Sequence, residues 1–212
     1  EPKRVAKTPN SPLVNAQPVK IELSLSIKVL LFTSFITGIG FGFIMPVSVL
    51  FYNDKFGIEP VEIGFIITIT GCIGLVASWL AGRLSDKTGR KPFIALGGIS
   101  SRLCGIALPL TFDVNQAVIV MTAQSLGFNV LMPAVRALQA DIAPAESRGR
   151  IFGMFWTAFT AGDIVGPIMG TWLYSLYRFE TLNIGGFFFP GYGIPFFVNA
   201  IMGLISLMLI LI

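Results

Sequence analysis

Six long apolar stretches, at residues 25–51, 61–81, 93–112, 116–140, 151–176 and 187–212, are joined by short segments that gather most of the charge. Each stretch is about 20 residues or more, enough for a helix rising about 1.5 Å per residue to cross roughly 30 Å of hydrocarbon. The pattern predicts an all-α transmembrane domain of six helices over residues 23–212. Ahead of it, residues 1–22 carry Pro2, Pro9, Pro12 and Pro18 among Lys, Asn and Ser without apolar periodicity, and are expected to form a polar tail. The tail lacks the apolar stretch of a signal peptide. The sequence starts at Glu1 and stops inside an apolar run, Leu209-Ile210-Leu211-Ile212, so truncation at both ends is expected.

Composition supports a multi-pass membrane protein: 54% of residues are hydrophobic, 12% are charged, and mean hydropathy is +0.78. The net charge of +4 matters less than its placement. With successive connections on alternate sides, 13 of the 15 Lys and Arg residues fall on one side, and only Lys55 and Arg178 on the other. The positive-inside rule makes the crowded side, and the N-terminus, cytoplasmic. Topology therefore accounts for the basic residues, and no nucleic-acid partner is needed. The expected partner is a lipid bilayer, in a plasma (inner) or organelle membrane.

Catalytic chemistry finds no foothold in the sequence. Histidine is absent, which leaves carboxylates as the expected proton carriers. Cys72 and Cys104 fall inside apolar stretches, where they are expected to act as small buried hydrophobes. There is no nucleophile constellation, phosphate-cradling glycine loop or Cys/His cluster. The chain does not read as an enzyme, and no metal or cofactor is expected.

An internal echo organises the six helices. Gly40-Phe41-Gly42-Phe43-Ile44-Met45-Pro46 in the first is matched by Gly127-Phe128-Asn129-Val130-Leu131-Met132-Pro133 in the fourth, with Gly, Phe, Met and Pro in register. The two helices run in opposite directions, as in a six-helix bundle built as a 3+3 inverted repeat. Gly and Pro are also common in membrane helices generally, so coincidence is the alternative.

Three motifs carry a resemblance. Residues 82–92 read Gly-Arg-Leu-Ser-Asp-Lys-Thr-Gly-Arg-Lys-Pro, with Gly82, Asp86, Gly89, Arg90 and Lys91 at specified positions between two apolar runs. Pro133-Ala134 through Ala140-Asp141, Pro144, Arg148-Gly149-Arg150 and Phe152-Gly153 form the second. Gly162, Gly166, Pro167 and Gly170 form the third. Together they resemble the N-terminal six-helix half of the major facilitator superfamily, most like its drug/proton antiporter branch. The resemblance covers residues 25 to 212.

It implies one half of a twelve-helix fold that moves a small solute by alternating access, with a C-terminal half or second subunit as partner. It implies proton-coupled efflux, with a small-molecule substrate and protons as ligands. It also implies that residues 82–92 form a cytoplasmic loop steadied by a charge cluster of Asp86, Arg90 and Asp141. Gly82 is then expected to permit close backbone approach and Gly89 a tight turn. The helix 5 glycines are expected to pack against the opposite half, although small residues at four-residue spacing also serve ordinary helix packing.

One departure weakens proton coupling: an Arg common in helix 4 of proton-coupled exporters, four residues before a Gly, is here Ala123 when Gly127 is taken as that Gly. A non-transporting structural subunit and a homodimerising half-transporter are the alternatives.

Two charges lie deep in the apolar stretches. Arg102 is about 14 Å and Asp163 about 18 Å along its helix. A charge at that depth costs at least about 2.5 kcal/mol, so each needs a partner or a wet cavity. Either Asp163 and Arg102, with Asn129 and Gln124, form a proton or substrate site, or the two charges make buried ion pairs, between themselves or with the missing half, that fix packing. Thr33, Ser34, Thr37, Gln124 and Asn129 supply uncharged polar groups for a central cavity, unless they bond back to their own helices.

Overall fold

The structure is a computed structural model and describes residues 24–184 and 187–211; the expected tail at residues 1–22 lies outside the described residues. Six helices are long and apolar enough to cross a membrane. They are α1 (Leu25–Phe56), α2 (Pro60–Thr88), α3 (Arg90–Ala107), α4 (Val114–Ile142), α5 (Arg148–Tyr177) and α6 (Ile194–Leu211). Strands β1 (Thr181–Ile184) and β2 (Phe187–Pro190) pair antiparallel between α5 and α6.

Local chemistry sets the helix ends. Ser24 Oγ accepts the Ile27 N–H at 3.4 Å to start α1, and Asp113 Oδ1 accepts the Gln116 N–H at 2.9 Å to start α4. Pro60 opens α2, where its missing N–H costs nothing. Helix α1 stops at Gly57, with φ +65°, and α2 stops at Gly89, with φ +98°.

Gly89 alone separates α2 from α3. The loop expected over residues 82–92 is therefore almost wholly helical, with Pro92 in the first turn of α3. Charged side chains can reach water from a helix end, so charge there does not require the backbone to unwind. Among the described residues a Cβ on Gly82 would meet nothing within 4 Å. The last apolar stretch also differs from expectation, because residues 187–190 pair as a strand and the helix begins only at Ile194. Three phenylalanines followed by Pro190, Gly191 and Gly193 favour a strand and turn over a helix.

Helix packing follows the inverted repeat. Helix α1 packs along α5 and α6, while α4 packs along α2 and α3, which are their counterparts under a three-helix shift. The α1–α5 seam is backbone on backbone: a Cβ on Gly166 would lie 2.5 Å from the Phe43 N, and one on Gly162 2.7 Å from the Ile39 N. Gly162, Gly166 and Gly170 of helix 5 thus face α1 of the same bundle. Four-residue spacing puts them on one stripe, and the glycines of α1 supply the matching groove.

The interior is uneven. At the end of the bundle holding the α1–α2 connection, one apolar cluster joins Val47, Phe51, Tyr52, Ile63, Leu108, Ala117, Tyr174 and Phe196. At the α2–α3 end the core is split in two: Ile27, Leu30, Ala143, Ile151 and Phe155 on one side, and Ile94, Leu131, Ala134 and Leu207 on the other. Outward faces are apolar too, as on Leu75 and Val76 of α2 and Ile164 and Ile168 of α5. Cys72 is exposed on α2 rather than buried.

Candidate functional site

At the α2–α3 turn the structure brings Asp86, Arg90 and Asp141 together. Arg90 Nη1 pairs with Asp86 Oδ1 one helical turn away, and Arg90 Nε reaches Asp141 Oδ2 at 3.4 Å. Ser85 Oγ accepts from Arg90 Nη1 at 3.5 Å, and Lys91 Nζ donates to the Leu211 carbonyl at 3.1 Å. This cluster ties the α2–α3 junction to the end of α4, and Lys91 adds the end of α6.

A counterpart stands at the opposite end of the bundle. Asp54, at the end of α1, accepts from Tyr174 Oη at 2.8 Å and from Arg178 Nη2 at 3.4 Å. Beside it Lys55 Nζ donates to the carbonyls of Pro109 and Thr111 and lies over the rings of Phe51, Phe56 and Tyr192. The sequence carried a signal for this second cluster. Asp54 precedes Asp141 by the same 87 residues that separate Phe41 from Phe128.

Between the two ends lies a cavity of about 1100 Å³ to which all six helices contribute. It occupies the half of the bundle where the core is split. Thr33, Ser34 and Thr37 of α1, Asn129 and Gln139 of α4, Ser206 of α6 and Arg102 of α3 give it a polar lining. Hydrogen bonds join the helices around it: Thr37 Oγ1 to Ser206 Oγ at 3.2 Å, Ser206 Oγ donating to the Thr33 carbonyl at 3.4 Å, and Gln139 Nε2 donating to Ser34 Oγ at 3.4 Å. The hydroxyls also bond back along α1, to the Leu30 carbonyl from Thr33 and Ser34 and to the Thr33 carbonyl from Thr37. Asn129 donates to the Ser125 carbonyl at 2.9 Å. Lining a cavity and bonding back are thus compatible here.

The remaining wall is aromatic. Phe41 stacks on Phe128 with centroids 6.3 Å apart and meets Phe159 at 5.8 Å; Phe159 stacks on Trp156 at 5.7 Å. Phe41 and Phe128 are repeat equivalents, so the echo in the sequence meets itself on the cavity wall.

The four residues grouped as a proton or substrate site are not together. Arg102 and Asn129 line the cavity, whereas Asp163 and Gln124 do not. Asp163 packs against α1, where a Cβ on Gly42 would lie 2.7 Å from its Oδ1. Gln124 lies over Gly105 of α3, its Nε2 3.1 Å from where a Cβ there would stand. Arg102 and Asp163 make no ion pair with each other; counting residues along a helix fixes depth but not which side of α1 each charge faces. Missed entirely were Arg136, Gln139 and the aromatic run of α5, because Arg136 reads as one more basic residue near a cytoplasmic helix end.

The molecule is a polytopic membrane bundle with a central amphipathic cavity and a charge cluster at either end. The chain belongs to the Major Facilitator Superfamily, a family of transporters whose model matches residues 30–212. It is 24% identical over 162 residues to a Na(+), Li(+), K(+)/H(+) antiporter of Planococcus maritimus, covering 74% of this chain and 38% of that protein. It is 25% identical over 148 residues to the quinolone resistance protein NorA of Staphylococcus aureus, covering 70% and 38%. Multidrug resistance protein 3 of Bacillus subtilis (strain 168) matches at 38% identity over 93 residues, 42% of this chain and 17% of that one. The chain thus spans less than two fifths of the length of these curated relatives.

Proposed function

We propose that residues 23–212 are the N-terminal half of an alternating-access transporter that exports a small organic solute in exchange for protons. The observation that carries this reading is the cavity: polar groups of α1, α4 and α6 converge in it behind an aromatic wall, within a chain of transporter family. The apolar faces of α2 and α5, with Leu75, Val76, Ile164 and Ile168 exposed, are broad enough to receive a second six-helix bundle. The Arg90 and Asp54 clusters act as the two latches of the cycle. By the distribution of Lys and Arg, the α2–α3 end and the N-terminus face the cytoplasm of a plasma (inner) membrane, so the cavity lies in the cytoplasmic half of the bundle.

The protein as its gene encodes it, reconstituted in proteoliposomes under an imposed pH gradient, tests the reading with a fluorescent quinolone as solute. Solute flux that follows the gradient and collapses with a protonophore is expected. Flux indifferent to the protonophore would reject proton coupling alone. No flux of any aromatic solute would reject transport in favour of a structural subunit.

A further inference from the structure

The cavity carries a charge of one sign. Its lining includes the guanidinium groups of Arg102 and Arg136 and neither an aspartate nor a glutamate among the described residues. Arg102 lies twelve residues into α3, about 18 Å from its start, and Arg136 five residues above Asp141, about 8 Å. Since Arg90 pairs with Asp141, those two starting points share a level, and the arginines stand about 10 Å apart along the bundle axis. Arg136 is exposed near the mouth and Arg102 is deep.

Arg102 is unanswered. It makes no hydrogen bond or ion pair among the described residues, and its Nε is buried without an acceptor. Its side chain lies across Gly203 of α6, where a Cβ would meet Arg102 Nε, Cζ and Cδ, so stem and guanidinium are both seated against α6 at the cavity wall. A guanidinium does not shed its proton, so the charge must be met by water or by an anion. The one carboxylate at comparable depth, Asp163, lies against Gly42 outside the cavity. Walls of low polarity concentrate the field of such a charge and raise the local concentration of anions.

We infer that the cavity is built for an aromatic organic anion, with its carboxylate on Arg102 and its ring system along Phe41, Phe128, Phe159 and Trp156. A planar guanidinium holds a carboxylate through two parallel hydrogen bonds, and Arg136 draws the anion in at the mouth. Rings stacked 5.7 to 6.3 Å apart offer faces and edges to a flat body. A cavity of about 1100 Å³ is just above the usual range for a drug-sized molecule, so it has room for one. This inference rests on the cavity being the solute site, and it names the charge of the solute.

The test is equilibrium binding to the protein as its gene encodes it, purified in nanodiscs, with three probes of one shape: naphthalene-2-carboxylate, naphthalene-2-carboxamide and 2-naphthylmethylammonium. The carboxylate is expected to bind about tenfold more tightly than the amide, and the ammonium most weakly. Arg102→Met should remove most of the carboxylate preference, leaving at most the roughly threefold share that Arg136 supplies, and leave the amide unchanged. Arg102→Lys should keep part of the preference, since it keeps charge and loses the fork. Should Arg102→Met fail to fold, Arg136→Gln at the exposed mouth should still lower carboxylate affinity about threefold and leave the amide alone.

Equal affinity for carboxylate and amide, tightest binding of the ammonium, or a carboxylate preference undiminished by Arg102→Met would overturn the inference. Carboxylate preference without flux in proteoliposomes would sink transport and leave this site standing. Flux of a cation without carboxylate preference would do the reverse.

Discussion

Asp54 and Asp141 hold the same position in the two inverted halves of one bundle. Each ends its helix, α1 or α4, and each accepts from an arginine at 3.4 Å, Arg178 or Arg90, but they do so at opposite ends. Their surroundings differ. Asp54 also holds the hydroxyl of buried Tyr174, whereas the Asp141 side chain is 56% exposed. A hydrogen bond whose partner is left buried and unmatched costs about 1–3 kcal/mol, while exposed pairs contribute little. Asp54→Ala should therefore lower the unfolding free energy by about 2 kcal/mol, and Asp141→Ala should change it far less. Thermal unfolding of the two variants side by side checks this; a larger loss from Asp141→Ala would contradict it.

The seam between α1 and α5 leaves no room for a side chain. Gly166→Leu should abolish recovery of folded protein, because backbone cannot retreat as a side chain can; overpacking alone costs about 1–3 kcal/mol or more. Gly149→Leu, where a Cβ would meet nothing within 4 Å, is the control and should yield normal protein. Monodisperse yield on size exclusion is the measurement.

The two glycines of the 82–92 segment should behave differently. Gly89→Ala forces a side chain into φ +98° and should cost about 1–2 kcal/mol. Gly82→Ala, within α2 and facing open space, should be neutral or stabilising by up to about 1 kcal/mol. A Gly82→Ala protein that folds normally but loses transport would show that another element reaches Gly82 during the cycle.

The aromatic wall should matter to affinity more than to fold. Trp156 is 64% exposed, so Trp156→Ala should leave unfolding temperature nearly unchanged. It should raise the KM for an aromatic solute about threefold to tenfold, the worth of one ring contact. An unchanged KM would remove the wall from the binding site.

Much of this architecture is legible in the sequence, for physical reasons. A membrane span must be long and apolar, so all six helices are visible, and the charged segment at 82–92 marks one end of the bundle. The Asp86, Arg90 and Asp141 grouping was also within reach, through the resemblance of the 82–92 and helix 4 motifs to the family. Residues 187–190 misled because apolarity cannot tell a strand from a span. Asp163 misled because depth along a helix says nothing about azimuth. The second cluster was hidden in plain arithmetic: the offset linking Phe41 to Phe128 also links Asp54 to Asp141, but only the fold shows that each aspartate meets an arginine.

The split core has a mechanical meaning. Where Phe51, Tyr52, Tyr174 and Phe196 interlock, the helices share one solid and must move as a block. Where the Ile151 and Ile94 clusters are separate, Ile210 packs against both, and two leaves can part by giving up little apolar contact beyond that one side chain. The bundle is therefore stiff at one end and compliant at the other, like a clothes-peg with its spring at the aromatic end. Amide exchange should follow that gradient along a single helix, with the Val47–Tyr52 turn of α1 protected longer than the Ile27–Thr33 turn that borders the cavity.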